Sequence, residues 1–338
     1  MKQHESNSAR WLTRDARGKN MMKDVTACKV AVLAGGWSDE REISLSSARE
    51  VSDALREVGF DQVDLLDIAS DGFLDAISHG GYDVAFVAMH GKYGEDGCIQ
   101  GLLEILHMPY TFSGVLASSM SMEKDVAKVV YAREGIPIAS GITIDRTWVP
   151  SEEAIGQIVD SLGLPLFVKP AGNGSSFGIS RVERREDLGS AIELARKTSG
   201  RVLVEEAVDG IEITVPVLGN EDARALAIVE INTGSVFYDA KVKYEPSELH
   251  HIMPARLEPD VYQKAQELAV RAHVALGCRG CSRSDFIVTP DGTPVILETN
   301  TIPGMTSASL LPDSARHEGI AFPELCKRFV ELALEGVR

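Results

Sequence analysis

No long apolar stretch occurs in this sequence. Runs such as Lys29 to Ala34 fall far short of the roughly 20 residues that cross a bilayer as a helix. No apolar stretch of signal-peptide length opens the chain either, so the expected location is the cytoplasm. Cysteine is scarce: Cys28, Cys98, Cys278, Cys281 and Cys326 form an odd, scattered set that argues against a disulfide framework and fits a reducing compartment. Cys278-Arg-Gly-Cys281 has metal-knuckle spacing, but no second Cys or His pair lies at a matching distance, so small buried thiols beside a strand are expected. Basic residues are outnumbered, 34 Lys and Arg against 50 Asp and Glu, for a net charge of -16. That balance disfavours a general affinity for nucleic acid, while leaving room for a few local cations to hold a small anion. Two nucleotide signatures are also missing. No G-K-[ST] follows a glycine run, which excludes a Walker A loop, and Ala34-Gly-Gly36 is not G-x-G-x-x-G, which removes support for a Rossmann dinucleotide site. There are no repeats and no low-complexity tracts.

What is present is an ordinary globular composition, 44% hydrophobic and 25% charged, over 338 residues, long enough for two or three packed domains. Residues 1 to 27 are polar without periodicity and are expected to be a disordered extension. The pattern then changes. Lys29 to Ala34 reads as a buried strand, Ser44 to Val58 as a helix with Gly59 at its end, and Val63 to Ile68 and Asp83 to Met89 as two further strands. Strand, helix, strand in this order predicts a parallel βαβ sheet, with ligand loops at the carboxyl ends of its strands: Gly35 to Ile43, and His90 to Gly97. A helix from Met122 to Glu134 leads to Gly135-Ile-Pro137. Next come a strand near Ile142, a helix from Glu152 to Ser161, and the strand Leu166 to Lys169. The turn Pro170 to Gly178 reads as a hairpin tip before Ile179 to Val182. A helix from Asp187 to Lys197 and the strand Arg201 to Glu206 follow. The rest is mostly β (Glu212 to Leu218, Ala225 to Ile231, Ser284 to Val288, Pro294 to Glu298), with helices at Tyr262 to Leu276 and Phe322 to Leu334 expected to cover it.

Three features carry chemistry. Glu298 and Asn300 sit at i and i+2 of one strand and so share a face, with Asp285 on the neighbouring strand. Three hard oxygen ligands suit Mg2+ bridging phosphates better than zinc; the ordinary alternative is a solvated acidic strand end. Lys169 ends a buried strand, an expensive place for an ammonium unless it meets an anion. The glycine- and serine-rich turn Gly172 to Gly178 follows, and its backbone N–H groups can close over phosphates; the alternative is a plain hairpin loop. Glu205-Glu206-Ala-Val208 followed by Glu212 offers strand-edge backbone groups for adenine and a carboxylate for ribose, or simply solvated acids.

Four segments in register, Gly35-Gly-Trp-Ser-Asp-Glu-Arg-Glu-Ile-Ser-Leu45, Met89-His-Gly91 with Gly94-Glu-Asp-Gly97, Phe167-Val-Lys-Pro170 with Gly174-Ser-Ser176, and Glu298-Thr-Asn-Thr-Ile-Pro-Gly-Met-Thr306, resemble the D-alanine–D-alanine ligase family of the ATP-grasp superfamily, over residues 28 to 335. The resemblance implies an N-terminal α/β substrate domain (28–121), a central ATP-grasp subdomain (122–205) and a C-terminal α+β subdomain with the metal and catalytic site (206–338). By the same resemblance Lys124, Lys169 and Lys243 contact ATP, Ser175 and Ser176 close over it, Glu205, Glu206 and Val208 line the adenine pocket, and Glu212 meets the ribose. Asp285, Glu298 and Asn300 would hold two Mg2+ (or Mn2+) ions. Arg283 and the Gly304 N–H would face the reaction oxyanion, Glu40 the first substrate's ammonium and Ser309 the second's carboxylate. His90 would lie near the first substrate or make a structural hydrogen bond. Ser175, Tyr244 and Glu40 would form a linked set, and residues 237–254 a mobile cover in which Tyr244 favours a peptide over an ester product. Trp37, Lys241 and Ala308 depart from the family pattern. The implied partners are ATP and two D-alanine molecules, with no nucleic acid and no membrane, in a homodimer serving peptidoglycan precursor synthesis. The readings left open are D-alanine–D-lactate ligase, another ATP-grasp carboxylate–amine ligase, and a catalytically inactive nucleotide-binding regulator.

Overall fold

The computed structural model describes residues 12–14, 20–22, 24–172, 178–232 and 250–335. Strands β1 (Leu12–Arg14) and β2 (Asn20–Met22) pair antiparallel, and Val25–Ala27 makes a 3-10 turn with Val25 buried. The expected disordered extension over 1–27 therefore holds three short elements; residues 1–11, 15–19 and 23 lie outside the described set.

The first sheet is parallel, in the order β4 (Gln62–Asp67), β3 (Lys29–Ala34), β5 (Val84–Val87). The central strand buries Val30 through Ala34 without alternation, as a parallel strand covered on both faces must. Helix α1 (Arg41–Glu57) buries Ala48, Val51, Ala54 and Leu55 along one stripe. The helices α2 (Phe73–His79), α3 (Cys98–Ile105), α4 (Val115–Met122) and α5 (Lys124–Arg133) follow. The first three of these were not read from the sequence, and Glu123 separates α4 from α5.

The second sheet is antiparallel, in the order β6 (Gly141–Ile144), β9 (Val202–Glu206), β7 (Leu166–Pro170), β8 (Ser180–Val182). Alternation along β7 decides its role. Leu166 and Val168 enter the core beneath α6 (Glu152–Leu162) and α7 (Leu188–Arg196), while Phe167 and Lys169 face a cleft. The third sheet runs β13 (His250–Ile252), β12 (Val229–Asn232), β10 (Ile211–Leu218), β14 (Cys281–Val288), β15 (Pro294–Asn300), with β11 (Arg224–Ala225) paired to β10. The single strand expected over Ala225 to Ile231 is thus two. Helix α8 (Pro259–Leu276) shares a core with this sheet through Ala265, Leu268, Ala269 and Ala272.

After α9 (Leu310–His317), the chain returns. Helix α10 (Phe322–Glu335) buries Leu325, Phe329 and Val330 in the core of the first sheet, where Phe329 packs on Phe86 and Phe112. The expectation that this helix covers the C-terminal strands is corrected: those strands already have α8, and the apolar face of α10 finds its partner some 240 residues upstream in β5.

Candidate active site

The cleft lies between the second and third sheets. Lys124, Phe167, Lys169, Glu205, Glu206, Val208, Glu212, Asp285 and Glu298 all line it. The structure thus brings together residues that the sequence presented as separate features.

Two hydrogen-bonded strands carry its acidic wall. Asp285 on β14 faces Glu298 on β15 in register, and Arg283 faces Asn300, with an irregularity at Asp285/Phe286 that re-aims the strand end. The Arg283 guanidinium grips Asp285 with two bonds, Nε to Oδ1 at 3.0 Å and a terminal nitrogen to Oδ2 at 2.9 Å. Thr214 on β10, opposite Asp285 in register, donates its hydroxyl to Oδ1 at 2.5 Å. Below the strand ends, Tyr131 and Ser284 both meet the Thr299 hydroxyl at 2.8 Å, a buried chain that fixes β14 against β15. The Asn300 side-chain oxygen accepts from the Ile302 N–H at 2.9 Å, which leaves it one lone pair for another partner.

The basic wall is built from α5 and β7. Lys124 opens α5, and its ammonium sits 2.9 Å from Glu298. Its backbone N–H donates to the Ala171 carbonyl at 2.8 Å, which ties the end of β7 to the start of α5. Arg201 clamps the same junction through Glu123 and Asp125, both at 2.7 Å. Lys169 and Lys128 meet the two oxygens of one carboxylate, that of Glu205, at 2.9 and 2.5 Å. Burial opposes ionisation of Glu205, but Lys169 and Lys128 outweigh it and hold its pKa below the ordinary value. Burial pushes the Lys128 pKa down, partly countered by Glu205.

Glu205, Glu206 and Val208 line the cleft, but the strand-edge part of the adenine reading is corrected. Strand β9 is not an edge: β6 and β7 flank it, the Glu206 N–H goes to Ser140 and the Ala207 N–H to Pro165. The Glu205 carboxylate is turned inward onto two lysines, and Glu206 accepts from the Ser140 N–H at 2.8 Å. Val208 is the segment's first cleft-lining residue beyond the paired strand.

A second cluster forms where α1 begins. Ser44 accepts from the Gly35 N–H at 2.9 Å and donates to the Ala88 carbonyl at 2.7 Å, tying the loop after β3 to the end of β5. Arg41, hydrogen-bonded to Asp67, pulls that carboxyl down to about 2 and fixes the same loop. Glu40 is buried against Gly91, and the Gly91 N–H donates to Glu95 at 2.6 Å. His90 is buried, with Nε2 3.2 Å from the Ser47 hydroxyl. Glu95 lines a hollow that also contains Lys124, Glu298 and Asn300, so the Glu40–His90 cluster and the acidic strand ends are joined through one residue. On the far side, Ser309 precedes α9, meets Thr306 at 2.8 Å and abuts Gly304. Of the departures from the family pattern, Trp37 is exposed and edge-on to Tyr93, and Ala308 is exposed.

Ser175, Ser176, Lys241, Lys243 and Tyr244 lie outside the described residues, as does most of the expected cover, 237–254. Sequence reasoning missed Lys128, Glu95 and Thr214. The signal for Lys128 was its i+4 spacing from Lys124; for Thr214 it was only the strand register, which a sequence does not display.

The comparisons agree over most of the chain. The pattern for the family domain described as D-ala D-ala ligase C-terminus matches residues 130–331, and that for D-ala D-ala ligase N-terminus matches 69–113. A protein of Desulforamulus reducens called D-alanine–D-alanine ligase is 44% identical over 312 residues, 91% of this chain and 99% of its own. One of Syntrophobacter fumaroxidans with the same name is 46% identical over 308 residues, 90% and 97% of the two chains. Among solved structures, the Bacillus anthracis D-alanine–D-alanine ligase complexed with ATP superposes with a TM-score of 0.79 at 29% identity, covering 92% of this chain and 99% of that one. The Coxiella burnetii D-alanine–D-alanine ligase gives 0.78 at 28% identity, covering 92% and 95%. With an acidic strand pair and a lysine wall enclosing one cleft in a chain of this similarity, this protein belongs to the D-alanine–D-alanine ligase family, with the ATP-grasp fold.

Proposed function

We propose that this chain joins two D-alanine molecules with cleavage of ATP to ADP and phosphate, in the cytoplasm, as a homodimer supplying a peptidoglycan precursor. The observation that carries the reading is the cleft itself, where Lys124 and Lys169 lie across from Asp285 and Glu298. We divide the chain at 28–121, 122–205 and 206–338, with α10 contributing its apolar face to the first unit.

A carboxylate is a poor acyl donor because it has no leaving group. Transfer of the γ-phosphoryl group from ATP makes an acyl phosphate, and the amine of the second amino acid then displaces phosphate through a tetrahedral oxyanion. In such transfers the protein mainly positions groups and neutralises charge. Lys124 and Lys169 bind the phosphates, and Glu206, Val208 and Glu212 hold the nucleoside end. Glu40 anchors the first ammonium, with His90 beside it, and Ser309 meets the second carboxylate. Arg283 and the Gly304 N–H stabilise the oxyanion.

The residues present fit divalent cations. Asp285 and Glu298 already stabilise a positive group each, and together with Asn300 they offer hard oxygen donors. Among the described residues no three His, Cys, Asp or Glu side chains gather to hold a metal ion; the third donor of the proposed set is the Asn300 amide oxygen. Held by these three residues, two Mg2+ (or Mn2+) ions supply charge neutralisation for the phosphate oxygens.

Product analysis by mass spectrometry tests the reading. Enzyme, ATP, Mg2+ and D-alanine should give a D-alanyl dipeptide with stoichiometric ADP and phosphate. Absence of dipeptide, or preferential formation of the ester when D-lactate is added, overturns it.

A further inference from the structure

Lys128 has no part in the chemistry above. It lies one turn after Lys124 on α5, on the same helix face, and is 6% exposed. Its ammonium is 2.5 Å from Glu205 Oε1, while Lys169 takes Oε2 at 2.9 Å. Lys169 lines the cleft and Lys128 does not, so one buried carboxylate carries two cations, one facing the nucleotide and one behind. A buried lysine costs several kcal/mol unless it is paired. Glu205 needs only Lys169 to be neutralised, so the second cation is not explained by the neutrality of that pair.

We propose that Lys128 is a positioning residue for nucleotide binding: it keeps Glu205 compensated when Lys169 turns from that carboxylate to a phosphate of ATP. The proposal rests on the reading of the cleft as a nucleotide site. Without Lys128, release of Lys169 would strand an anion that is 1% exposed, and a stripped buried charge is the costly half of a broken pair. Lys169 would then stay on Glu205, and the phosphate would lose its donor. With Lys128 in place, Glu205 is never left alone, and the exchange of partners costs little.

The test is calorimetric titration of the intact protein with a non-hydrolysable ATP analogue and Mg2+, alongside steady-state kinetics and thermal melting. Lys128→Met should weaken analogue binding by about tenfold or more, equivalent to ~1.4 kcal/mol, and raise the KM for ATP in parallel. The KM for D-alanine should not move, and Lys128→Arg should recover most of the affinity. In a Glu205→Gln background there is no anion to strand, so adding Lys128→Met should change affinity by less than about twofold, within the usual limit of additivity. Wild-type affinity in Lys128→Met overturns the proposal. So does an equal loss in the Glu205→Gln background, or a fall in melting temperature with failure of Lys128→Arg to rescue; each would make Lys128 a core lysine only. A wild-type protein that does not bind the analogue overturns the nucleotide reading itself.

Discussion

Replacing Arg283 with alanine should separate turnover from nucleotide binding. The guanidinium is buried and makes two charge-assisted bonds to Asp285, each of a kind that contributes ~1.5–3 kcal/mol. Asp285 is not fully stripped by the change, since Thr214 still donates to it and its side chain is 16% exposed. The loss of stability should therefore fall below the ~3–5 kcal/mol of a broken, fully buried pair, at about 2–3 kcal/mol. For a chain of 338 residues, whose unfolding entropy is about 0.7 kcal/mol/K, that is a fall of roughly 3–4 °C in melting temperature. Catalysis should suffer more. Losing one oxyanion donor costs ~3 kcal/mol, on the order of 10²-fold in kcat. Arg283 does not line the nucleotide cleft, so the KM for ATP should stay within about threefold. Coupled assay of ADP release, with melting curves on the same samples, measures all three. Arg283→Lys keeps the charge but not the two-pronged grip, and should recover stability better than turnover. A kcat near that of wild type beside a lowered melting temperature would refute the reasoning, leaving Arg283 as a holder of Asp285 and nothing more.

Three further outcomes are expected. Gly91 has φ +69°, and a Cβ there would lie 2.6 Å from Glu40 Oε2, so on the proposed reading Gly91→Ala should displace that carboxylate and raise the KM for the first D-alanine by about tenfold with little change for ATP, as initial-rate curves would show. A Cβ on Gly304 would lie 2.9 Å from the Ser309 hydroxyl, so Gly304→Ala should raise the KM for the second D-alanine; an unchanged value would remove Ser309 from the second site. His273 is buried beside Ser282, and burial pushes its pKa from 6.5 down to about 4. The unfolded chain takes up that proton first, so the stability due to neutral His273 is complete above pH 6.5 and is lost as pH falls from 6.5 towards 4, by ~3 kcal/mol in all. Melting curves of wild type and His273→Gln should converge over that range, and parallel curves would contradict the assignment.

How much of this was legible in the sequence depended on distance along the chain. Glu298 and Asn300 are two apart, and the period of a strand was enough to put them on one face. That Asp285 faces Glu298 and Arg283 faces Asn300 needed the β14–β15 register, which only the folded sheet supplies. Lys169 could be read as a buried cation in want of an anion, but its partner Glu205 sits on the neighbouring strand 36 residues later, and the sequence suggested adenine contacts instead. The amphipathic pattern of α10 was plain, whereas its destination was not, because an apolar stripe does not name the sheet that will cover it. Lys128 was passed over because a lysine at i+4 on a helix is ordinarily solvated, and its burial comes from β9, seventy-odd residues away.

The charged groups of the cleft share one property that none shows alone. Lys124 rests on Glu298, Arg283 on Asp285, and Lys169 with Lys128 on Glu205. On the proposed nucleotide reading, a phosphate entering this site competes with carboxylates already in place, so binding is an exchange of partners. An exchange is cheap only where the abandoned carboxylate is taken up at once, because an uncompensated charge in a low-dielectric interior costs far more than the departing bond contributed. Glu298 and Asp285 line the cleft, and on the proposed reading a divalent cation there would replace the departing ammonium or guanidinium. Glu205 is 1% exposed in the cleft wall, and the fold gives it a second lysine. On that reading the cleft compensates its partly exposed acids from the solvent side and its buried acid from the core side, and the division follows from how deeply each carboxylate is buried: 16% and 25% exposed for Asp285 and Glu298, 1% for Glu205.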